Sequence, residues 1–222
     1  HPRFGRVMID SGVSSELGER LNGLMRRAVS DLDVRITRTT AQWLDGQTPP
    51  RAVFLTHLHF DHVGGLVDLP VTTPVYVGAG EAQERSRVNL VLGRPADAAL
   101  RGYGPLREWR FQPDPDGRFA GVLDVFGDGS IWAISTPGHS AGSTAYLVNA
   151  VDGPKLVVGD AVSTRLGWEQ QMPQPLAPPL KPRPNGYAAL RPRIRMWRCS
   201  LATNQERSRK SRGETVSRAT AI

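Results

Sequence analysis

Residues 53–65 read Val-Phe-Leu-Thr-His57-Leu-His59-Phe-Asp61-His62-Val-Gly64-Gly65. Three of the chain's five histidines and an aspartate therefore follow directly on an apolar run, which reads as a strand over Ala52–Leu55. Side chains alternate in extended backbone, so His57 and His59 point the same way. Asp61 and His62 follow where the chain turns, and can face a second point beside the first. Imidazole nitrogens and carboxylate oxygens converging from a rigid support are what zinc-like divalent ions require. Gly64 and Gly65 then let the backbone leave without steric conflict. A solvated loop that happens to be His-rich is the alternative, and the spacing argues against it.

Two further segments fit the same chemistry. In Ile134-Ser-Thr-Pro-Gly-His139-Ser-Ala-Gly-Ser-Thr-Ala-Tyr-Leu-Val148, a histidine sits on a Pro-Gly loop between two strand-like runs. Alone it reads as a turn residue; beside a His-x-His pair it supplies a third nitrogen. In Lys155-Leu-Val-Val-Gly-Asp160-Ala, an apolar strand ends in Gly-Asp. The carboxylate either caps a helix or spans two metals through its two oxygens, and the other ligands favour the second reading.

Taken in order, these motifs resemble those of the metallo-β-lactamase-fold hydrolases, and Val7-Met-Ile-Asp10-Ser-Gly12 is similar to that family's early strand. The resemblance covers roughly residues 4–172. It implies an α+β protein, an αββα sandwich of two mixed sheets with helices outside. It also implies two divalent metal ions, with zinc expected. His57, His59 and His139 would hold the first, Asp61 and His62 the second, and Asp160 would bridge both. A hydroxide shared by the ions would attack a carbonyl or phosphoryl centre, with Asp61 orienting it or shuttling its proton. The family supplies one more histidine after the bridging aspartate, and none follows His139 in this chain. The second ion is thus left with Asp61, His62 and Asp160, so the second site is expected to be weak or empty and the activity of this chain impaired.

Within the family, the motifs look most like the lactonase-like branch, which acts on acyl-homoserine lactones and related esters. Those proteins often carry a tyrosine three residues after the bridging aspartate, where this chain has Ser163. Thioester hydrolysis of the glyoxalase-II type is the alternative activity. A catalytically idle metal-binding fragment is the alternative to an enzyme. The expected partner is a small-molecule substrate.

A formal charge of +7 and a pI near 10.3 ordinarily suggest nucleic acid. Residues 1–172, however, hold 17 basic and 19 acidic side chains, and residues 173–222 hold 11 and 2. The basicity belongs to the tail, so nucleic acid is not an expected partner of the core. The chain accordingly divides into a metal-binding core, 1–172, and a Pro/Arg-rich tail, 173–222, expected to be disordered. A basic nucleic-acid arm, a plain linker and a segment outside the family's reading frame are the readings of that tail. The start, with a strand already at Arg6–Ile9, reads as truncated in front. No apolar run approaches a membrane span. The one cysteine, Cys199, permits no disulfide framework, which favours a cytoplasmic setting.

The remaining expectations concern local structure. A helix is expected from Glu16 to about Val29 and another over Gly80–Leu92, with a strand at Val75–Val77 between them. Residues Gly93–Pro115 read as irregular. Leu123–Ile134 reads as a hairpin turning at Asp128-Gly129. Tyr103, Trp109 and Phe111 either line a pocket or pack the irregular stretch, and packing is favoured.

Overall fold

The computed structural model describes residues 1–14, 36–83 and 94–162, together with the single positions 16, 19, 23 and 27. Strands β1 (Val7–Ile9), β2 (Ala52–Phe54), β3 (Val75–Val77) and β4 (Arg107–Glu108) form a sheet in that order, every pairing parallel. Strands β5 (Val122–Asp124), β6 (Ile131–Ser135), β7 (Thr144–Ala150) and β8 (Gly153–Val157) form an antiparallel meander.

Both faces of each sheet are apolar, and the two-residue period of the strands assigns each side chain to a layer. Val53 of β2 and Leu55 just after it pack outward with Leu58, Val63, Leu66, Val75 and Val77. Phe54 points the other way, into a layer with Trp109, Ile131, Ala133 and Tyr146 that joins the sheets. On the far side of the second sheet, Val122, Ile134, Ala145 and Leu147 gather around Phe119. The continuous apolar run at 52–55 is the signature of a parallel strand buried on both faces.

Helical segments cover the first sheet: α1 (Thr40–Leu44), the turn α2 (Phe60–Val63) with a 3-10 turn at Gly64–Asp68, and α3 (Arg94–Ala99). Thr39 starts α1 with a capping box, accepting from Gln42 N while the Gln42 side chain accepts from Thr39 N. The α+β sandwich is as expected, with helices described on one outer face, but neither sheet is mixed among the described strands: the first is wholly parallel and the second wholly antiparallel. The stretch 93–115 is not wholly irregular as expected: it contains α3 and β4. Six helical residues and two strand residues are too short to show a period in sequence. The expected helix at 16–29 lies outside the described residues except for its single positions, as does most of the one at 80–92, of which 81–83 are helical. The tail and Ser163 lie outside them entirely. Among the described residues, no helix is long and apolar enough to cross a membrane.

The hairpin forms as expected. Its turn is held by Asp124, whose carboxylate accepts from Gly127 N at 3.0 Å and Gly129 N at 2.7 Å. Of the aromatic residues of the 103–111 stretch, Trp109 and Phe111 pack between the sheets as expected, while Tyr103 both packs and borders a small cavity with Ala82, Leu100 and Leu106. Tyr103 Oη donates to Leu66 O at 2.6 Å, and Trp109 is 8% exposed.

A polar chain crosses the layer between the sheets. Trp109 Nε1 donates to Tyr146 Oη at 2.9 Å, and Tyr146 Oη donates to Leu55 O at 2.9 Å. Burial pushes the Tyr146 hydroxyl well above the usual phenol range, so it stays protonated and able to donate. Tyr146→Phe leaves a buried indole N–H and a carbonyl without this partner, at an expected cost of about 1–3 kcal/mol. A urea melt checks it: the midpoint should fall with an unchanged slope, and an unmoved midpoint would mean that the two groups re-pair.

Candidate metal centre

The first sheet delivers one set of side chains and the second sheet the others. Chain leaving β2 stays extended through His59, which N-caps α2, so His57 and His59 share a side and Asp61 and His62 ride on the turn. The loop between β6 and β7 brings His139, and a 3-10 turn after β8, Gly159–Ala161, brings Asp160. Gly159 has φ +53, and a Cβ there would lie 2.6 Å from Thr56 Cβ. A side chain at 159 would thus push Asp160 away from the histidines. Gly65 avoids a steric conflict, as expected, and does so through the side chain it lacks rather than through a left-handed backbone. Its φ is ordinary, and its missing side chain makes room for Ser11 O, 2.1 Å from where a Cβ would stand.

All six sequence-predicted site residues meet. The His57 ring lies 4.4 Å from His59, 4.1 Å from His62 and 4.7 Å from His139, centroid to centroid. His59 Nδ1 and His139 Nε2 are 2.9 Å apart. Asp160 Oδ2 lies 3.5 Å from His139 Nε2 and 3.9 Å from His57 Nε2, while its Oδ1 lies 3.3 Å from His62 Nε2. Asp61 Oδ2 is 3.5 Å from His62 Nε2. Two donor groups result: His57, His59, His139 and Asp160, and then Asp61, His62 and Asp160, each with its donor atoms within 4.8 Å of one another.

This donor set fits divalent cations. His57 is 1% exposed, and its Nε2 is buried without a hydrogen-bond partner, an arrangement that costs free energy unless something fills it. Burial, then the nearby His62, His59 and His139, depress the His57 imidazole to about 2. Burial and His139 also lower His59. Neutral imidazoles turned toward one another are the state that a cation needs and that protonation would destroy.

Sequence reading missed the residues that orient these rings. Asp10, at φ +52, accepts from Thr56 N at 2.7 Å and Thr56 Oγ1 at 2.9 Å, and its Oδ2 lies 2.8 Å from His62 Nδ1. The Asp-Ser-Gly after β1 was its only sequence signal. With its own proton directed to Asp10, Thr56 Oγ1 accepts from His57 Nδ1 at 3.1 Å. The His57 and His62 rings are thereby fixed with Nε2 facing inward, the usual second layer of a histidine metal site. Burial alone would lower His62, but hydrogen bonds to Asp10 and Asp160, with the charges of Asp10 and Asp61, raise it to about 10. The hydrogen bond from His62, against the opposing effect of burial, brings Asp160 to about 2, with the nearby histidines helping.

A family model described as the metallo-β-lactamase superfamily matches residues 5–170. The chain belongs to that superfamily. Similar members include Gamma-lactamase MBL2 of Gibberella moniliformis, 30% identical over 148 residues, covering 61% of this chain and 59% of that protein. N-acyl homoserine lactonase AttM of Agrobacterium fabrum is 31% identical over 126 residues, 54% of this chain and 44% of its own length. The chain thus spans about half the length of these relatives. Among solved structures, a quorum-quenching N-acyl homoserine lactone lactonase superposes with a TM-score of 0.55 at 18% identity, covering 90% of this chain and 71% of that one. That likeness supports the metallo-β-lactamase fold, and the named relatives agree with the lactonase-like branch.

The raised His62 has a measurable consequence. In the metal-free chain the stabilisation from this raised pKa is complete below about 6.5 and is lost as pH rises through about 10. At pH 8 an ion entering the second group must displace that proton. Calorimetric zinc titrations in buffers of different ionisation enthalpy should show about one proton released there. The release should shrink in Asp10→Asn. Equal release by both proteins would show that Asp10 does not hold His62 protonated.

Proposed function

We propose that the chain is a metal-dependent hydrolase of lactone or ester substrates, with its metals held by His57, His59, Asp61, His62, His139 and Asp160. The observation that carries this reading is the buried, unpartnered His57 Nε2 at the meeting point of three further imidazoles and a two-sided carboxylate. Relatives named as γ-lactamase and N-acyl homoserine lactonase support a cyclic carbonyl substrate.

When bound, divalent ions polarise a carbonyl and bring the pKa of water to near neutrality. The chain's own residues do the rest. His57, His59 and His139 present their ring nitrogens from two sheets, so the centre depends on the sheets being locked together. Asp160 places one oxygen toward each donor group and fixes their separation. Asp10 and Thr56 keep the imidazole tautomers in place. Asp61, half exposed at the mouth, is placed to take a proton from the attacking water and pass it to solvent. No Ser or Cys nucleophile is needed.

The first group offers three imidazoles and the second only one, so the first holds its ion more tightly. A panel of acyl-homoserine lactones, aryl esters and a glutathione thioester, assayed with and without zinc, tests the reading. Metal-dependent turnover of lactones or esters is expected. Turnover of the thioester alone would reassign the substrate class, and no metal-dependent turnover by a zinc-loaded chain would refute the enzyme reading.

A further inference from the structure

Glu81 stands just after β3 and is 3% exposed, deep burial for a group that must have its oxygens satisfied. Its Oε1 accepts from Leu58 N at 2.8 Å, the amide between His57 and His59. Its Oε2 accepts from Ser140 Oγ at 2.7 Å and Gly142 N at 2.8 Å, in the loop that carries His139. Ser140 Oγ is held in turn at 2.8 Å from Ser143 Oγ, which accepts from Ser140 N at 2.9 Å. One side chain therefore ties the His57–His59 segment of the first sheet to the His139 loop of the second.

The backbone is shaped for this tie. A Cβ on Gly142 would lie 2.4 Å from Glu81 Cβ and 2.7 Å from Glu81 N. A Cβ on Gly78 would lie 1.8 Å from Gly142 O. Only glycines at both positions let the segments approach closely enough for one carboxyl group to span them.

We propose that Glu81 is a positioning residue that sets the distance between the His57–His59 pair and His139. It touches no reacting atom. It acts through the backbone amide of Leu58 and the loop following His139, fixing the gap that the three imidazoles must close upon. The inference rests on the metal-centre reading above.

Glu81→Gln tests it, because the amide keeps the shape while turning one acceptor into a donor that faces an N–H. The metal-free full chain is titrated with Co2+ by visible absorption, and with Zn2+ against a chromophoric chelator. Near-ultraviolet circular dichroism reports the fold. The expected result is a metal-free spectrum like wild type, affinity at the first group weaker by about tenfold, and a changed cobalt absorption at saturation. A purely structural residue would leave the absorption of bound cobalt unchanged. Wild-type cobalt absorption with affinity within about twofold overturns the proposal. Should Glu81→Gln lose the fold, Ser140→Ala decides: it removes one donor and should weaken binding by about threefold with an altered cobalt band, and no change in either overturns the proposal. A wild-type chain that takes up no cobalt would overturn the metal-centre reading and this inference together.

Discussion

His57→Ala is expected to abolish tight metal binding, weakening the first group by more than about a hundredfold, beyond the 10–100-fold typical of second-layer partners. The imidazole removed is the most buried of the site histidines, with its inward nitrogen unpartnered. No neighbour can replace it, because His59 Nδ1 and His139 Nε2 already face each other and the His62 Nδ1 lies against Asp10. Metal-dependent turnover should fall with occupancy. Metal content after dialysis, compared with wild type and His139→Ala, checks this. Equal content in all three proteins would remove His57 and His139 from the centre.

Gly78→Ala should produce the largest loss of stability, about 3 kcal/mol or more, at the upper end of overpacking effects. Gly78 is not among the left-handed glycines, so the penalty is one of space. The new methyl would lie 1.8 Å from Gly142 O and 2.4 Å from Thr144 Oγ1. A carbonyl oxygen cannot swing aside as a side-chain tip can, and Thr144 N is itself bonded to Thr56 O at 2.9 Å. The sheets would have to part at the end that carries the site. A denaturation midpoint close to wild type would show that the junction is looser than these distances require.

Much of the site was legible in the sequence because its residues come in short local motifs. His57, His59, Asp61 and His62 fall within six positions, and alternation along an extended segment already implies that the first pair faces one way. The strand leading into them was readable because its residues are buried on both faces and so stay apolar throughout. His139 and Asp160 had weaker signals, each sitting at a turn where a bland role was open. They became persuasive only in company.

What the sequence concealed has physical reasons. Glu81 follows a glycine at the start of a helical stretch, where an acidic residue serves the helix terminus as a matter of course. Its partners at 58, 140 and 142 are brought to it by the packing of two sheets, which no local pattern records. Asp10 belongs to a legible motif, yet its work of orienting Thr56 and His62 depends on β1 lying beside β2. The small helix and strand within 94–108 escaped because neither is long enough to show its period.

Zinc-edge anomalous diffraction from crystals of the zinc-loaded chain would test the central claim most directly. The account predicts a strong peak bounded by His57 Nε2, His59 Nδ1, His139 Nε2 and Asp160 Oδ2, and a weaker one among Asp160 Oδ1, His62 Nε2 and Asp61 Oδ2. A zinc-loaded crystal with its anomalous peaks elsewhere, and none beside His57, would contradict it.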